Sequence, residues 1–343
     1  MAAKHPAHAS PARHVADAGG TALGIDIGGT GIKGAPVDLS TGTLQGERFR
    51  LETPHPAKPR TVAEVVGQVT RHFDWQGPIG ITFPGVVSRG VVHTAANMDR
   101  SWIGLSATEV FGPALEPGLA TPFVVNDADA AGLAEITHGA ALGQNGVVLM
   151  LTFGTGIGSA LFVDGHLVPN TELGHLQIRG KDGEHRASAK VRDDKNLSWQ
   201  KWADRVQEYL DHVEALFSPD LVVFGGGVSK HPEKFLPLLH MRARMVPAQM
   251  ANNAGIIGAA LAAAGAARKA AESENGNSTR PAKTAQPAKS AQAAKTAQAT
   301  KTAQPKSTRA RSTAAAKRTS SSSTRSRSAR AKSAHSKSAH AKS

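Results

Sequence analysis

Short apolar runs, each ending in glycine, punctuate the first 265 residues. Leu23–Ile27 precedes Gly28-Gly29-Thr30, Val147–Leu151 precedes Phe153-Gly154-Thr155-Gly156, and Leu221–Val223 precedes Phe224-Gly225-Gly226-Gly227. Runs of this length read as buried strands. Further strands are expected over Lys33–Asp38, Leu44–Leu51, Ile79–Phe83 and Phe123–Val125. Three- and four-residue spacing predicts helices instead over Thr61–Phe73, from about Asp129 to His138, and over Ser198–Phe217. In the last, Trp199, Trp202, Val206, Tyr209, Leu210, Val213 and Leu216 share one face, with Asn196 or Ser198 as N-cap. A small-residue helix, Ala254–Ala264, closes the pattern. Strands alternating with helices argue an α/β fold, and the strand-turn-strand opening argues against a plain dinucleotide-binding sheet.

Beyond residue 265 the pattern stops. Ala266–Ser343 carries 18 Lys and Arg against two acids, whereas the first 265 residues carry 22 basic and 25 acidic residues. The net charge of +13 thus belongs to a tail and says nothing of the body's partners. A six-residue repeat from Pro281 to Gln304 places Lys third and Ala-Gln last in each unit. With almost no large apolar residue, residues 266–343 are expected to be disordered, as are residues 1–20. The tail's charge suits non-specific binding of a polyanion, DNA or polyphosphate. There is no cysteine, which excludes disulfides and thiolate metal sites. With no apolar run long enough for a membrane span and no signal-peptide core, a cytoplasmic protein is expected.

The glycine-rich loops carry the chemistry. Adjacent glycines leave backbone N–H groups open to a phosphate. Thr30 adds a hydroxyl, and Asp26 can reach a hydrated Mg²⁺ travelling with that phosphate. Three such loops after three strands point to phosphate handling. Asn126-Asp127 stands at a strand end before a helix, where Asp127 can serve as a base for an acceptor hydroxyl or as the helix cap. Glu172 and His175, with Gly174 between them, offer hydrogen-bonding groups suited to sugar hydroxyls. Asn97 and Asp99 are open to either reading by themselves.

Together the motifs LGIDIGGTGIK (Leu23–Lys33), Asn126-Asp127, FGTGIGS (Phe153–Ser159), ELGH (Glu172–His175) and FGGGVS (Phe224–Ser229) resemble the ROK sugar kinases and repressors, over about residues 21–265. TFPGVV, TAANMDRSW and GKDGEHRASAK are most similar to the actinobacterial polyphosphate glucokinases of that family. The resemblance implies an actin-like (ribonuclease H-like) two-lobe fold with a cleft between the lobes. The smaller lobe would span about 21–122, the larger about 123–252, and the closing helix about 253–265. It implies phosphoryl transfer from inorganic polyphosphate, with ATP as a further donor, to the 6-hydroxyl of glucose. Asp127 would be the base. Asn97, Asn126, Asp127, Glu172, His175 and Glu184 would hold the sugar, and Gly28, Gly29, Thr30, Lys33, Gly154, Thr155 and Gly156 the phosphates. Gly225, Gly226 and Gly227 would form the nucleotide loop, and Asp26 would hold Mg²⁺ through water. A homodimer is also implied. The cysteine-rich zinc loop of many relatives is missing from Gln177–Gly183, so no zinc is expected there. The alternatives are a strictly ATP-dependent hexokinase of the family, or a sugar-sensing regulator with a DNA-binding tail. With 22 residues before Leu23, too few for the repressors' winged helix, the kinase is the expected branch.

Overall fold

The computed structural model describes residues 19–278, with side chains to Ser273. The first 18 residues and the repeat-bearing tail lie outside the described residues. In chain order the first lobe begins with β1 (Thr21–Ile27), β2 (Ile32–Asp38), β3 (Thr43–Leu44) and β4 (Phe49–Leu51). Helix α1 (Pro59–His72), β5 (Ile79–Phe83), a short hairpin of β6 (Val87–Ser88) and β7 (Val91–Val92), α2 (Ala107–Phe111) and β8 (Phe123–Asn126) follow. Helix α3 (Asp127–His138) leads to β9 (Val147–Phe153), β10 (Ile157–Val163) and β11 (His166–Val168). Next come a hairpin of β12 (Gln177–Ile178) and β13 (Lys181–Asp182) and helices α4 (Glu184–Ala187), α5 (Ala189–Asp194) and α6 (Trp199–Phe217). Strands β14 (Leu221–Gly226) and β15 (Arg244–Pro247) and helix α7 (Ala254–Ser278) end the described chain.

Two sheets repeat one plan. The first runs β3-β2-β1-β5-β8, with β4 also on β2; the second runs β11-β10-β9-β14-β15. In each, an antiparallel hairpin (β1/β2, β9/β10) is extended by two parallel strands. The glycine loops at residues 28–30 and 154–156 are the two hairpin tips, at equivalent places in the two halves.

Strand alternation sorts the side chains into layers. Leu23, Ile25 and Ile27 of β1 face the core under α1, while Ala22 faces the opposite core with residues of α3 and α7. In β9, Leu149, Leu151 and Phe153 pack with α6, and Val148 and Met150 face inward. Helix α7 packs on β1, β5 and β8, α3 packs on β9 and β10, and the two helices pack on each other. The layers are therefore α1, first sheet, the α7–α3 pair, second sheet and α6. Small residues make the inner layer possible: a Cβ on Gly24 would strike the Ile256 carbonyl, and one on Gly258 the Ala130 carbonyl.

Most of the expected elements form, with informative shifts. The run Leu44–Leu51 is two strands, because the chain leaves the sheet at Gly46 (φ +99°) and returns to pair with β2 further along. Strand β8 pairs with β5, so the first lobe's sheet extends past residue 122 to Asn126. The closing helix does not stop near 265. It continues to Ser278, because Ala, Arg, Lys and Glu sustain a helix without a core to bury, and Arg268 and Glu272 pair at i,i+4 (2.9 Å). Residues 266–278 are thus helical rather than part of the tail. In α6 the predicted face is buried except at its ends, where Trp199 is half-buried and Leu216 is 63% exposed. Ser198 is its N-cap, accepting from the Lys201 N–H.

Candidate active site

The β8–α3 junction gives the helix cap to the residue before Asp127. Asn126 is the cap: its Oδ1 accepts the Ala128 and Asp129 N–H groups at 2.9 and 3.0 Å, and its Nδ2 donates to the Gly85 carbonyl at 3.1 Å. Asp127 is the first helical residue, leaving its carboxylate free to face the cleft; Oδ1 accepts the Ala128 N–H at 2.9 Å.

Two neighbouring cavities meet there. The larger, about 490 Å³, is lined by Asn97, Asn126, Asp127, Glu172, His175, Glu184 and the loop Gly154-Thr155-Gly156. All six residues expected to hold a sugar are on its wall. The smaller, about 260 Å³, is lined by Asp26, Lys33, Asp127, Gly225, Gly226, Gly227, Ser229, Lys230 and Asn252. Asp127, Ala128, Thr152 and Gly226 belong to both. Gly28, Gly29 and Thr30 line neither cavity. They form the open tip between β1 and β2, where the Thr30 carbonyl accepts from Arg50 (2.8 Å) and the Gly28 carbonyl from Thr53 (2.5 Å).

Two carboxyls at this junction, Asp127 and Asp129, are strongly raised, and of the two Asp127 is the one that lines both cavities. Asp127 is open to solvent where the two cavities meet, yet protein atoms crowd around its carboxylate. That crowding, joined by the negative charges of Asp26 and Glu172, pushes its pKa up to about 7 against the pull of the Ala128 N–H. Burial also raises Glu172. His175 is raised, first by its hydrogen bond to Asp182 (Nδ1 to Oδ2, 2.9 Å), while Asp182 is lowered by the same bond.

The second glycine loop is shaped by close approach. A Cβ on Gly156 would collide with the Glu184 carboxylate, whose Oε2 accepts the Ile157 N–H at 3.2 Å, and one on Gly174 would strike the Ile157 carbonyl. The cysteine-free loop Gln177–Gly183 is ordered by its own hydrogen bonds. Strands β12 and β13 form a hairpin, closed by the Gln177–Asp182 and His175–Asp182 hydrogen bonds. His175, Asp182 and Glu184 can each offer one ligand atom, all within 4.8 Å of one another.

Asp26 is held by the Thr82 hydroxyl (2.8 Å) and by the Lys33 ammonium (3.0 Å), which also donates to the Asn252 carbonyl (3.0 Å). The Asp26 side chain keeps 17% of its surface open. A single hard carboxylate beside an open phosphate-sized cavity fits a divalent ion that takes its remaining ligands from phosphate and water. Among the basic residues near the site, Arg179 pairs with Glu208, Lys190 with Asp194, and Arg192 with Asp193 while stacking on Trp199. Lys230, Asn252 and Thr152 were not anticipated. Thr152 and Lys230 directly flank the motifs FGTGIGS and FGGGVS, whereas Asn252 carries no local motif.

A protein-family model described as "ROK family" matches residues 22–190. The polyphosphate glucokinase of Mycobacterium tuberculosis (strain ATCC 25618 / H37Rv) is 50% identical over 240 residues, covering 70% of this chain and 90% of the relative. The chain belongs to the ROK family. The polyphosphate glucokinase of Mycobacterium leprae (strain TN) is 48% identical, covering 70% of this chain and 74% of the relative. The crystal structure of an inorganic polyphosphate/ATP-glucomannokinase from Arthrobacter sp. strain KM is 50% identical, covers 70% of this chain and 97% of that one, and gives a TM-score of 0.67. The two-lobe, actin-like sugar-kinase fold expected from the motifs is the fold observed. Kinases of this family work with a divalent metal ion accompanying the donor. Among the described residues, no helix is long and apolar enough to cross a membrane.

Proposed function

We propose that the protein transfers a phosphoryl group from inorganic polyphosphate, with ATP as a second donor, to the 6-hydroxyl of glucose, giving glucose 6-phosphate. One observation carries the reading: Asp127 lies on the shared wall of a cavity with sugar-type ligands and a cavity with phosphate-type ligands. Half-identical relatives named polyphosphate glucokinase support the same substrates.

In this mechanism glucose fills the larger cavity. Asn97, Glu172, His175 and Glu184 fix its hydroxyls, and the 6-hydroxyl points at Asp127. The donor's terminal phosphate lies against the Gly154–Gly156 and Gly225–Gly227 backbones, where the N–H groups not already used inside the fold, as that of Gly154 is by the Gly156 carbonyl (3.0 Å), would be its donors. Lys33 and Lys230 offset its charge. As the sugar oxygen forms its bond to phosphorus, the bridging P–O bond to the rest of the donor breaks. The hydroxyl proton passes to Asp127, and the electron pair leaves with the shortened polyphosphate or with ADP. Its raised pKa suits Asp127 to take that proton near neutral pH. Mg²⁺ held by Asp26 would neutralise charge on the donor oxygens.

A cytoplasmic setting is part of the reading and follows from the donors. So is a homodimer, which the exposed apolar side chains of Phe123, Val163 and Val168 support and sedimentation would test. The direct test of function is glucose 6-phosphate formation by the purified protein with polyphosphate, with ATP and with neither. The reading requires product with polyphosphate; product with ATP alone would assign the strictly ATP-dependent alternative.

A further inference from the structure

We infer that Asn170 is a positioning residue that sets the Glu172 segment of one lobe in register with the Asn97 loop of the other; the inference rests on the glucose-kinase reading above. Asn170 follows β11 with φ +58°, a left-handed backbone that glycine, asparagine and aspartate tolerate best. Its side chain spans to the first lobe. Oδ1 accepts the Val87 N–H at 3.0 Å, and Nδ2 donates to the Val87 carbonyl at 3.1 Å. Its backbone N–H donates to Asp129 Oδ2 at 2.8 Å, on the helix that Asp127 begins. Asp129 is almost wholly buried, and its Oδ1 has no partner among the described residues. The bond to Asn170 is therefore the one hydrogen bond this carboxyl makes there.

The clamp reaches a sugar-facing segment in each lobe. Val87 opens the β6–β7 hairpin, and the loop to Asn97 hangs from the same stretch. The Val86 N–H donates to Thr94 Oγ1 (2.9 Å), the His93 N–H to the Val86 carbonyl (2.8 Å) and the Ala96 N–H to the Pro84 carbonyl (2.9 Å). On the other side, Ser159 Oγ donates to the Thr171 carbonyl (2.5 Å) and accepts the Leu173 N–H (3.0 Å). Glu172 is thus fixed between two anchored neighbours, two residues beyond Asn170. Asn170 touches neither cavity that would hold glucose or phosphate; it acts through Glu172 and Asn97.

Asn170→Gly keeps the left-handed backbone and the N–H to Asp129 but deletes both bonds to Val87. Its glucose KM should rise roughly tenfold, the usual effect of losing one or two neutral hydrogen bonds. Its donor KM should not move, and kcat should stay within about twofold, since no group that acts only in the transition state is removed. Asn170→Asp, which retains the acceptor for the Val87 N–H, should recover part of the glucose KM. Asn170→Ala should add backbone strain, visible as a lower Tm than that of Asn170→Gly. Asn170→Gly with a wild-type glucose KM would overturn the inference and leave Asn170 as a turn residue. A change in kcat with glucose KM unchanged would overturn it too. Absence of glucose turnover in the wild type would instead remove the kinase reading, so the two failures are told apart.

Discussion

Asn126 and Asp127, adjacent in the chain, divide two tasks that one residue often combines. Asn126 spends its amide oxygen on the Ala128 and Asp129 N–H groups, and Asp127 is released to face both cavities. The two side chains should therefore fail differently. Asp127→Asn should lower kcat by at least ~10²-fold, the usual cost of a lost general base, with glucose binding retained. Asn126→Ala should cost about 1 kcal/mol of stability through the lost cap. Steady-state kinetics and thermal melts on both variants check the split.

The raised pKa of Asp127 gives a pH profile with a defined sign. A base must be deprotonated to act, so kcat/KM should climb as pH rises through about 7, and the climb should vanish in Asp127→Asn. Stability should move the other way. Asp127 and Asp129 are both raised to about 7, so between their ordinary value of 3.8 and 7 the folded protein binds more protons than the unfolded chain. Their contribution weakens the fold as pH rises through that interval. Denaturant titrations of the wild type and Asp129→Asn across this range check it.

Glu172→Gln and His175→Ala should raise the glucose KM and leave the donor KM near wild type, because both line the sugar cavity and neither lines the phosphate cavity. Asp182→Asn should lower the His175 pKa by replacing the charged acceptor that raises it with a neutral amide, visible in NMR as an imidazole titration midpoint at lower pH.

The sequence beyond residue 278 is rich in Lys and Arg and offers no acid–base constellation beyond isolated His335 and His340, so the chemistry should not need it. Removing residues 279–343, which spares α7, should leave turnover at saturating substrates unchanged. Retention on DNA or long polyphosphate at low salt should weaken, since dense positive charge binds polyanions through counterion release. Turnover and column retention of the truncated protein give both answers.

What the sequence made legible was local. The glycine tips of β1/β2 and β9/β10, and the Asn126-Asp127 step into α3, are contiguous motifs whose geometry follows from a few neighbouring residues. The division of Leu44–Leu51 had a local signal in the polar, glycine-bearing stretch Gln45–Arg48, but where each arm pairs with β2 is set by the sheet. The extension of α7 was hidden because helix propensity outlasts the apolar face on which the prediction leaned. Asn170 and Asp129 carry no motif at all: Asn170 sits beside Val87 only after the lobes pack, 83 positions away in sequence. The family resemblance implies Lys33 as a phosphate ligand; the structure adds that it already pairs with Asp26.

The central claim is that Asp127 stands between a sugar acceptor and a polyphosphate donor. It is tested most directly by following ³¹P NMR signals of polyphosphate with glucose, metal ion and the full-length protein. The account predicts that a sugar 6-phosphate resonance grows as polyphosphate chains shorten, and that Asp127→Asn nearly abolishes this growth. Growth of orthophosphate with no sugar phosphate, or equal rates in the wild type and Asp127→Asn, would contradict it.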